Sequence, residues 1–456
     1  MKRTLADLAR ACGGALQGAD REYATVSTDT RTIGTADLFV ALHGPRFNGN
    51  DFVAAALAAG AAGALVDRAQ DVALPQVVVP DTQRALLAGA GAWRAQFDLP
   101  LIGVAGSNGK TTVKEMTAAI LAASGPTLCT QGNLNNHIGV PVTLFRLDRA
   151  HRFAVIEMGA NRAGDVAELV AVARPAIGLV TNAGAEHLEG FGSIEGVARA
   201  EGEMFAGLPA DGVAVINADD AFAPLWRGMT RARTRTFGIE QAADFRASAI
   251  ATDVAADGFV TRFTLASPLG AARIALPLAG RHNVSNALCA AAAATAAGAT
   301  LEHVARGLGA MRAVQGRLQF KVARGGAWII DDSYNANPSS VRAGIEVLAS
   351  LGSPRWLVLA DMAELGEFAD ASHAEIGRFA RERGVDRLFA TGRLAALAVE
   401  SFGKGAEWYP DTDALARALE AVLPGDARVL VKGSRVNRLE RVVDALVGAA
   451  PGRKAG

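Results

Sequence analysis

At 456 residues the chain is too long for one ordinary core and is expected to divide into about two to four domains. Half of its residues are hydrophobic and a fifth are charged. No apolar run reaches the roughly eighteen residues of a membrane span, so a soluble globular protein without a membrane span is expected. Lysine plus arginine balances aspartate plus glutamate at 46 each, so no global field draws nucleic acid or an anionic membrane, and an anionic ligand must be held by local groups.

The segment Met1 to Asp7 lacks the apolar core of a signal peptide and instead begins an amphipathic helix with Leu5, Leu8, Ala9 and Cys12 on one face, which makes the cytoplasm the expected location. Cys12, Cys129 and Cys289 are widely spaced and read as reduced structural thiols. Residues 1–81 alternate short strands (38–42, 64–66, 76–79) with an alanine-rich helix (51–59) and predict a small α/β domain. Within it, Ser27, Asp29 and Arg31 and the glycine-rich turn around Arg46 suit a polar, phosphorylated small molecule. Turn and cap chemistry explains the same residue types equally well.

Residues 82–313 predict a central domain built on a doubly wound, largely parallel sheet, with strands at 101–105, 153–157, 177–180 and 213–216 separated by helices. The first of these strands runs into Gly106-Ser107-Asn108-Gly109, and Lys110-Thr111-Thr112 then opens a helix to about residue 123. Strand, glycine loop and helix in this order form a phosphate site. Glycines let backbone N–H groups approach a triphosphate, Lys110 meets the β- and γ-phosphates, and the Thr111 hydroxyl meets Mg²⁺. The spacing departs from the standard loop, because five residues separate Gly103 from Gly109 where four are usual. With only seven lysines in the chain, Lys110 and Lys432 stand out.

Ligands of such sheets lie at the carboxyl ends of the strands. Glu157, at one such end, offers a carboxylate within reach of a metal on Thr111. His187, after the strand at 177–180, is a less natural Mg²⁺ ligand and reads as readily as a hydrogen-bonded structural group. Residues 244–277 alternate like strands and predict an antiparallel insertion, and Gly280 to Asn283 lead into a long alanine helix ending near residue 297.

Residues 314–456 predict a second doubly wound α/β domain, with strands at 328–331, 355–360, 387–390 and 428–431. Arg317 is a candidate phosphate clamp and Lys432-Gly433-Ser434 a candidate anion site. The acidic pair Asp331-Asp332 before Ser333-Tyr334-Asn335-Ala336-Asn337-Pro338 either holds a ribose or a metal or caps the helix after Pro338.

Together these strings resemble the ATP-dependent Mur ligases of peptidoglycan synthesis, whose variant phosphate loop Gly106 to Thr112 resembles, spacing included. The strings Gly132 to Pro141, Asp331 to Pro338, Asp361 to Gly366 and Leu430 to Arg435 resemble the branch of the family that adds D-alanyl-D-alanine to a UDP-N-acetylmuramoyl-tripeptide. The resemblance implies ATP and Mg²⁺ held by Gly106, Ser107, Asn108, Gly109, Lys110, Thr111, Thr112, Glu157 and His187. It implies Asn283 at adenine, Arg317 at phosphate and Asp332 at the ribose or metal, with Lys110, Glu157, His187 and Arg317 carrying the catalysis. Ser27, Asp29, Arg31 and Arg46 are expected at the UDP-sugar, and Asn135 and Asn136 at the muramoyl peptide. Tyr334, Asn335, Lys432 and Ser434 are expected near the incoming dipeptide, and a monomer is expected.

The chain departs from the family where members usually carry a lysine that becomes carbamylated, in a string of the form A-K-G-E. Here Ala200-Glu201-Gly202-Glu203 stands, and Glu201 is expected to supply the metal's carboxylate directly; a solvated glutamate on a helix face is the other reading.

Overall fold

The computed structural model describes residues 2–186, 188–255 and 258–448. Three large sheets organise them, beside one two-stranded pair, His43–Gly44 with Phe47–Asn48. In the first, five short strands run in the order Ala15–Gln17, Gln76–Val78, Gly63–Val66, Leu38–Val40 and Val26–Ser27; the first pair is antiparallel and the rest are parallel. The helix Leu5–Cys12 packs on it through Leu5, Leu8 and Ala9, the face its sequence predicts. Thr4 caps that helix with its hydroxyl and Gly13 ends it at φ +67°, a conformation glycine adopts without penalty. The expected helix at 51–59 divides into a 3-10 turn, Gly49–Phe52, and a short helix, Val53–Ala58, because Asn48 caps the turn and redirects the chain.

The central sheet has nine strands. Thr127–Cys129, Phe153–Glu157, Leu101–Ala105, Ile177–Val180, Val213–Asn217 and Arg233–Gly238 are parallel in that order across the sheet. Strands from Leu101 to Ala105, Phe153 to Glu157 and Ile177 to Val180 are buried along their length, which explains their continuous apolar runs. The antiparallel strands Phe245–Ala255, Gly258–Ser267 and Gly270–Leu276 do not form a separate insertion. They extend the same sheet, because Phe237 pairs with Phe245 in parallel register.

Strand order reverses around Leu101–Ala105, which lies between Phe153–Glu157 and Ile177–Val180, while the next strand in the chain, Thr127–Cys129, lies beyond Phe153–Glu157 at the edge. That reversal opens a crevice at the carboxyl ends, where open α/β sheets bind ligands. The third sheet runs Gln319–Val322, Trp328–Asp332, Arg428–Lys432, Arg355–Ala360, Arg387–Thr391 and Ala406–Tyr409; only its first pair is antiparallel. It meets the central sheet through Phe259, which is buried in the core of the third unit and lies edge-on to Phe320, with ring centroids 5.7 Å apart. Among the described residues, no helix is long and apolar enough to cross a membrane.

Candidate active site

A cavity of about 740 Å³ opens at the strand-order reversal, between the central and third sheets. The phosphate loop forms its floor. Gly106 adopts φ +119° and packs so close to Thr181 that a side chain there would collide with it, and Gly109 at φ +85° turns the chain into the helix Lys110–Ala122. The loop is tied down from below. Asn108 N–H donates to Asn182 Oδ1 at 3.1 Å, while the Asn108 carbonyl accepts from Thr181 Oγ at 2.6 Å and Asn182 Nδ2 at 2.9 Å.

Lys110 donates to the carbonyls of Gly106 and Ser107 and pairs with Glu186 at 3.1 Å. Burial opposes its charge, but the carboxylates of Glu186, Glu201 and Glu157 outweigh burial and raise its pKa, so it is a permanent cation in the loop. Thr111 Oγ–H donates to Glu157 Oε1 at 3.3 Å, and Asn135 Nδ2–H donates to the same oxygen at 2.8 Å. Glu157 is buried, and its Oε2 has no hydrogen-bond partner among the described residues. A buried carboxylate oxygen left open costs free energy unless a cation completes it.

From the third unit, Arg317 reaches across the cavity to Thr111 Oγ1 at 3.4 Å, with its guanidinium 4.5 Å from the centre of the Tyr334 ring. Lys432 donates to Asp332 at 2.5 Å and to the Asn335 carbonyl at 3.0 Å, and Asp332 also accepts the Leu318 N–H. Burial raises the Asp332 pKa against the pull of Lys432 and Arg317. Ser434 Oγ accepts the Ala363 N–H and donates to the Ala336 carbonyl.

The cavity thus gathers Ser107 to Thr112, Asn135, Asn136, Glu157, Asn283, Arg317, Asp332, Tyr334, Asn335, Lys432 and Ser434, drawn from separate parts of the chain. Several of them are already engaged within the protein. Lys432 and Ser434 are bonded to their own unit, Asn136 Oδ1 accepts the N–H groups of Ile138 and Gly139, and Asn283 donates to the Ala279 carbonyl.

Glu201 does not line the cavity. It is buried beneath the loop and accepts the Gly106 N–H at 2.6 Å. Ser27, Asp29, Arg31 and Arg46 also stand outside the cavity lining, on the first unit. There Asp29, held down to about 2 by its hydrogen bonds with Arg31, pairs with that exposed guanidinium at 2.6 Å. His187 lies outside the described residues. The thiols are free, and burial pushes Cys129 up to about 12 and Cys289 well above the ordinary value, so neither is nucleophilic.

The sequence reading missed Glu186, His282, Asn337 and Ser339, all in the lining. Glu186 directly precedes His187 in the chain, and Asn337 before Pro338 carries a helix-cap signal. Neither signal names the partner across the cavity.

Three family profiles match the chain: "Mur ligase family, catalytic domain" over residues 22–96, "Mur ligase middle domain" over 104–294, and "Mur ligase, glutamate ligase domain" over 316–435. Among curated relatives, a UDP-N-acetylmuramoyl-tripeptide--D-alanyl-D-alanine ligase of Escherichia coli K12 is 44% identical over 445 residues, covering 97% of this chain and 98% of the relative. Among solved structures, MurF from Acinetobacter baumannii superposes with a TM-score of 0.91 at 33% identity, over 98% of this chain and 99% of that one. MurF ligase from Thermotoga maritima in complex with ADP gives a TM-score of 0.80 at 26% identity, over 92% and 96% of the two chains.

Proposed function

The chain belongs to the Mur ligase family, and from that membership we infer that it is an ATP-dependent amide ligase joining D-alanyl-D-alanine to UDP-N-acetylmuramoyl-tripeptide, with release of ADP and phosphate, in peptidoglycan precursor synthesis. The observation that carries the chemistry is the meeting of Lys110 and Thr111, on the phosphate loop, with Arg317, which the third unit projects onto Thr111.

A carboxylate is a poor acyl donor. Phosphorylating the terminal carboxylate of the tripeptide creates a leaving group, and the dipeptide amine then displaces phosphate. Both steps accumulate negative charge over the phosphate loop. Lys110 and Arg317 supply fixed positive charge there, and preorganised groups of this kind are usually the largest catalytic contribution. Loop N–H groups and the Thr111 hydroxyl orient the nucleotide. Asn135, which donates to Glu157, bridges the nucleotide side of the cavity to the peptide side. The third unit, packed over the loop, excludes water that would hydrolyse an acyl phosphate.

Mg²⁺ fits the residues present. Among the described residues no group of three or more His, Cys, Asp or Glu side chains could hold a metal alone, but Mg²⁺ takes one or two protein ligands and completes its shell with phosphate oxygens and water. Thr111 and the open Oε2 of Glu157 would hold it, and when bound it would neutralise charge on the transferring phosphoryl group. Glu201 acts in this reading on the loop, through Gly106 N–H and its charge near Lys110. The UDP-sugar falls to the first unit, the cytoplasm supplies the substrates, and the chain works as a monomer.

Phosphate release from ATP and Mg²⁺, with UDP-N-acetylmuramoyl-tripeptide and with or without D-alanyl-D-alanine, tests the reading when paired with mass analysis of the product. Release requiring both substrates, with a pentapeptide product, is expected. Release indifferent to both would instead make the chain an ATPase switch.

A further inference from the structure

Besides Thr111, which accepts from Arg317, Asn108 is the phosphate-loop residue whose side chain bonds directly to the third unit in the described contacts, and it does so twice. Its backbone is clamped on both sides by Thr181 and Asn182, so the loop holds it in place and its amide projects away from the central sheet. There it meets the start of the helix Pro338–Ala349. Asn108 Nδ2–H donates to Ser339 Oγ at 3.0 Å, Ser339 Oγ–H donates to Asn337 Oδ1 at 3.1 Å, and Asn337 Nδ2–H donates back to Asn108 Oδ1 at 2.8 Å. Three side chains thus form a closed ring in which each gives one hydrogen bond and accepts one. Bonds ordered in one sense around such a ring polarise one another.

The ring also constrains which residue types fit. Asn337 is the N-cap of its helix, its Oδ1 accepting the Ser340 N–H at 2.9 Å. Serine, aspartate and asparagine cap about equally well. Asparagine alone among them keeps a cap oxygen and also has an N–H₂ to give away. Gly184 borders the ring, and an added Cβ there would lie 3.3 Å from Asn108 Nδ2 and 3.5 Å from Ser339 Oγ. The ring stands beside the loop's phosphate-facing backbone and, among the described contacts, takes nothing from Lys110, Thr111 or Glu157.

We propose that Asn337 and Ser339 are positioning residues that latch the third unit onto the phosphate loop through Asn108, so that Arg317 reaches Thr111 only when the loop is correctly formed. The latch rests on the ligase reading, in which the third unit closes over bound nucleotide, and it makes closure depend on the loop's own side chain. It contributes to turnover and leaves binding of the UDP-substrate, on the first unit, unchanged.

The discriminating variant is Asn337→Ser, which keeps the helix cap and cannot span to Asn108. It is compared with Asn108→Ala and with the double variant, using the full-length chain and the assay described above. Each single variant is expected to lower kcat about tenfold while KM for the UDP-substrate and the unfolding midpoint stay at the parent values. The double variant is expected to be no slower than the worse single one, because both break the same ring. In small-angle scattering with ADP and the UDP-substrate, the parent is expected to contract and Asn337→Ser to contract less. An unchanged kcat in Asn337→Ser, or losses that multiply independently in the double variant, would overturn the latch. An inactive parent would overturn the ligase reading instead, so the two failures are distinct.

Discussion

Thr111 and Glu157 share one hydrogen bond, from Thr111 Oγ to Glu157 Oε1 at 3.3 Å, while the other oxygen of that carboxylate is buried without a hydrogen-bond partner among the described residues. Glu157→Gln preserves shape and removes the charge. Turnover is expected to fall about a hundredfold or more, and the Mg²⁺ concentration at half-maximal rate is expected to rise. A magnesium titration of the variant checks this, and an unchanged midpoint would remove Glu157 from the metal site.

Arg317 lies 4.5 Å over the Tyr334 ring and reaches Thr111 from another unit. Arg317→Lys keeps the charge but loses the planar stack and the fork of donors. We expect kcat to drop by about one to two orders of magnitude. Tyr334→Phe, which keeps the ring, is expected to remain close to the parent, and a steady-state comparison of the two variants separates the shape of the guanidinium from the tyrosine hydroxyl.

His282 lines the cavity, where burial first and Lys432 second lower its pKa to about 4. The unfolded chain titrates near 6.5, so the fold favours the neutral ring. Its stabilising contribution is complete above about pH 6.5 and is lost as pH falls from there toward 4, roughly 3 kcal/mol in all. His373 acts in the same direction, being buried with Nε2 accepting the Met362 N–H. Urea unfolding at pH 7 and pH 5 should therefore show a smaller difference in His282→Gln than in the parent, with part of the slope remaining.

Lys114 is fully buried on the phosphate-loop helix, and its ammonium donates to the Thr130 carbonyl at 2.8 Å and to Glu115 at 2.6 Å. Thr130 Oγ1 in turn accepts the Glu157 N–H at 3.0 Å. Lys114→Met fills the apolar space and leaves that carbonyl only the weak Cys129 thiol donor, at an expected cost of about 1–3 kcal/mol. Chemical denaturation measures it, and an equally stable variant would show that the ammonium does not hold this strand end.

Gly392 has φ +102°, and an added Cβ would collide with the Asp361 carboxylate, which accepts the Leu394 and Ala395 N–H groups. Gly392→Ala is expected to destabilise by about 2–4 kcal/mol, because it adds backbone strain and displaces that acceptor. A melting curve of the variant gives the answer, and a parent-like midpoint would mean that the Asp361 loop yields freely.

The strands legible in the sequence were the buried ones. Leu101–Ala105, and Phe153–Glu157 up to its terminal glutamate, are apolar because helices cover both faces, and a run of that kind is readable without any neighbour. Thr127–Cys129, at one edge of the central sheet, and Ala406–Tyr409, at one edge of the third, passed unnoticed, since three or four residues carry too little periodicity. Within the site, the loop, Glu157 and Arg317 were legible from their places at strand ends and beside glycines. The states of Lys432 and Ser434 were not, because a lysine open to an anion and a lysine paired with Asp332 have the same local sequence.

By itself the sequence determined the phosphate loop, the alternation of strand and helix, the free cysteines and the resemblance to a ligase family, since each rests on spacings of a few residues or on short strings. Tertiary structure decided which groups meet. Thr111 and Glu157 are 46 residues apart, Lys432 and Asp332 are 100 apart, and Asn108 and Asn337 are 229 apart. Such pairings depend on strand order and on the packing of one unit against another. Local periodicity can place a residue on a face of its own element, but which group that face meets is fixed only when the hydrophobic surfaces of separate sheets are buried together.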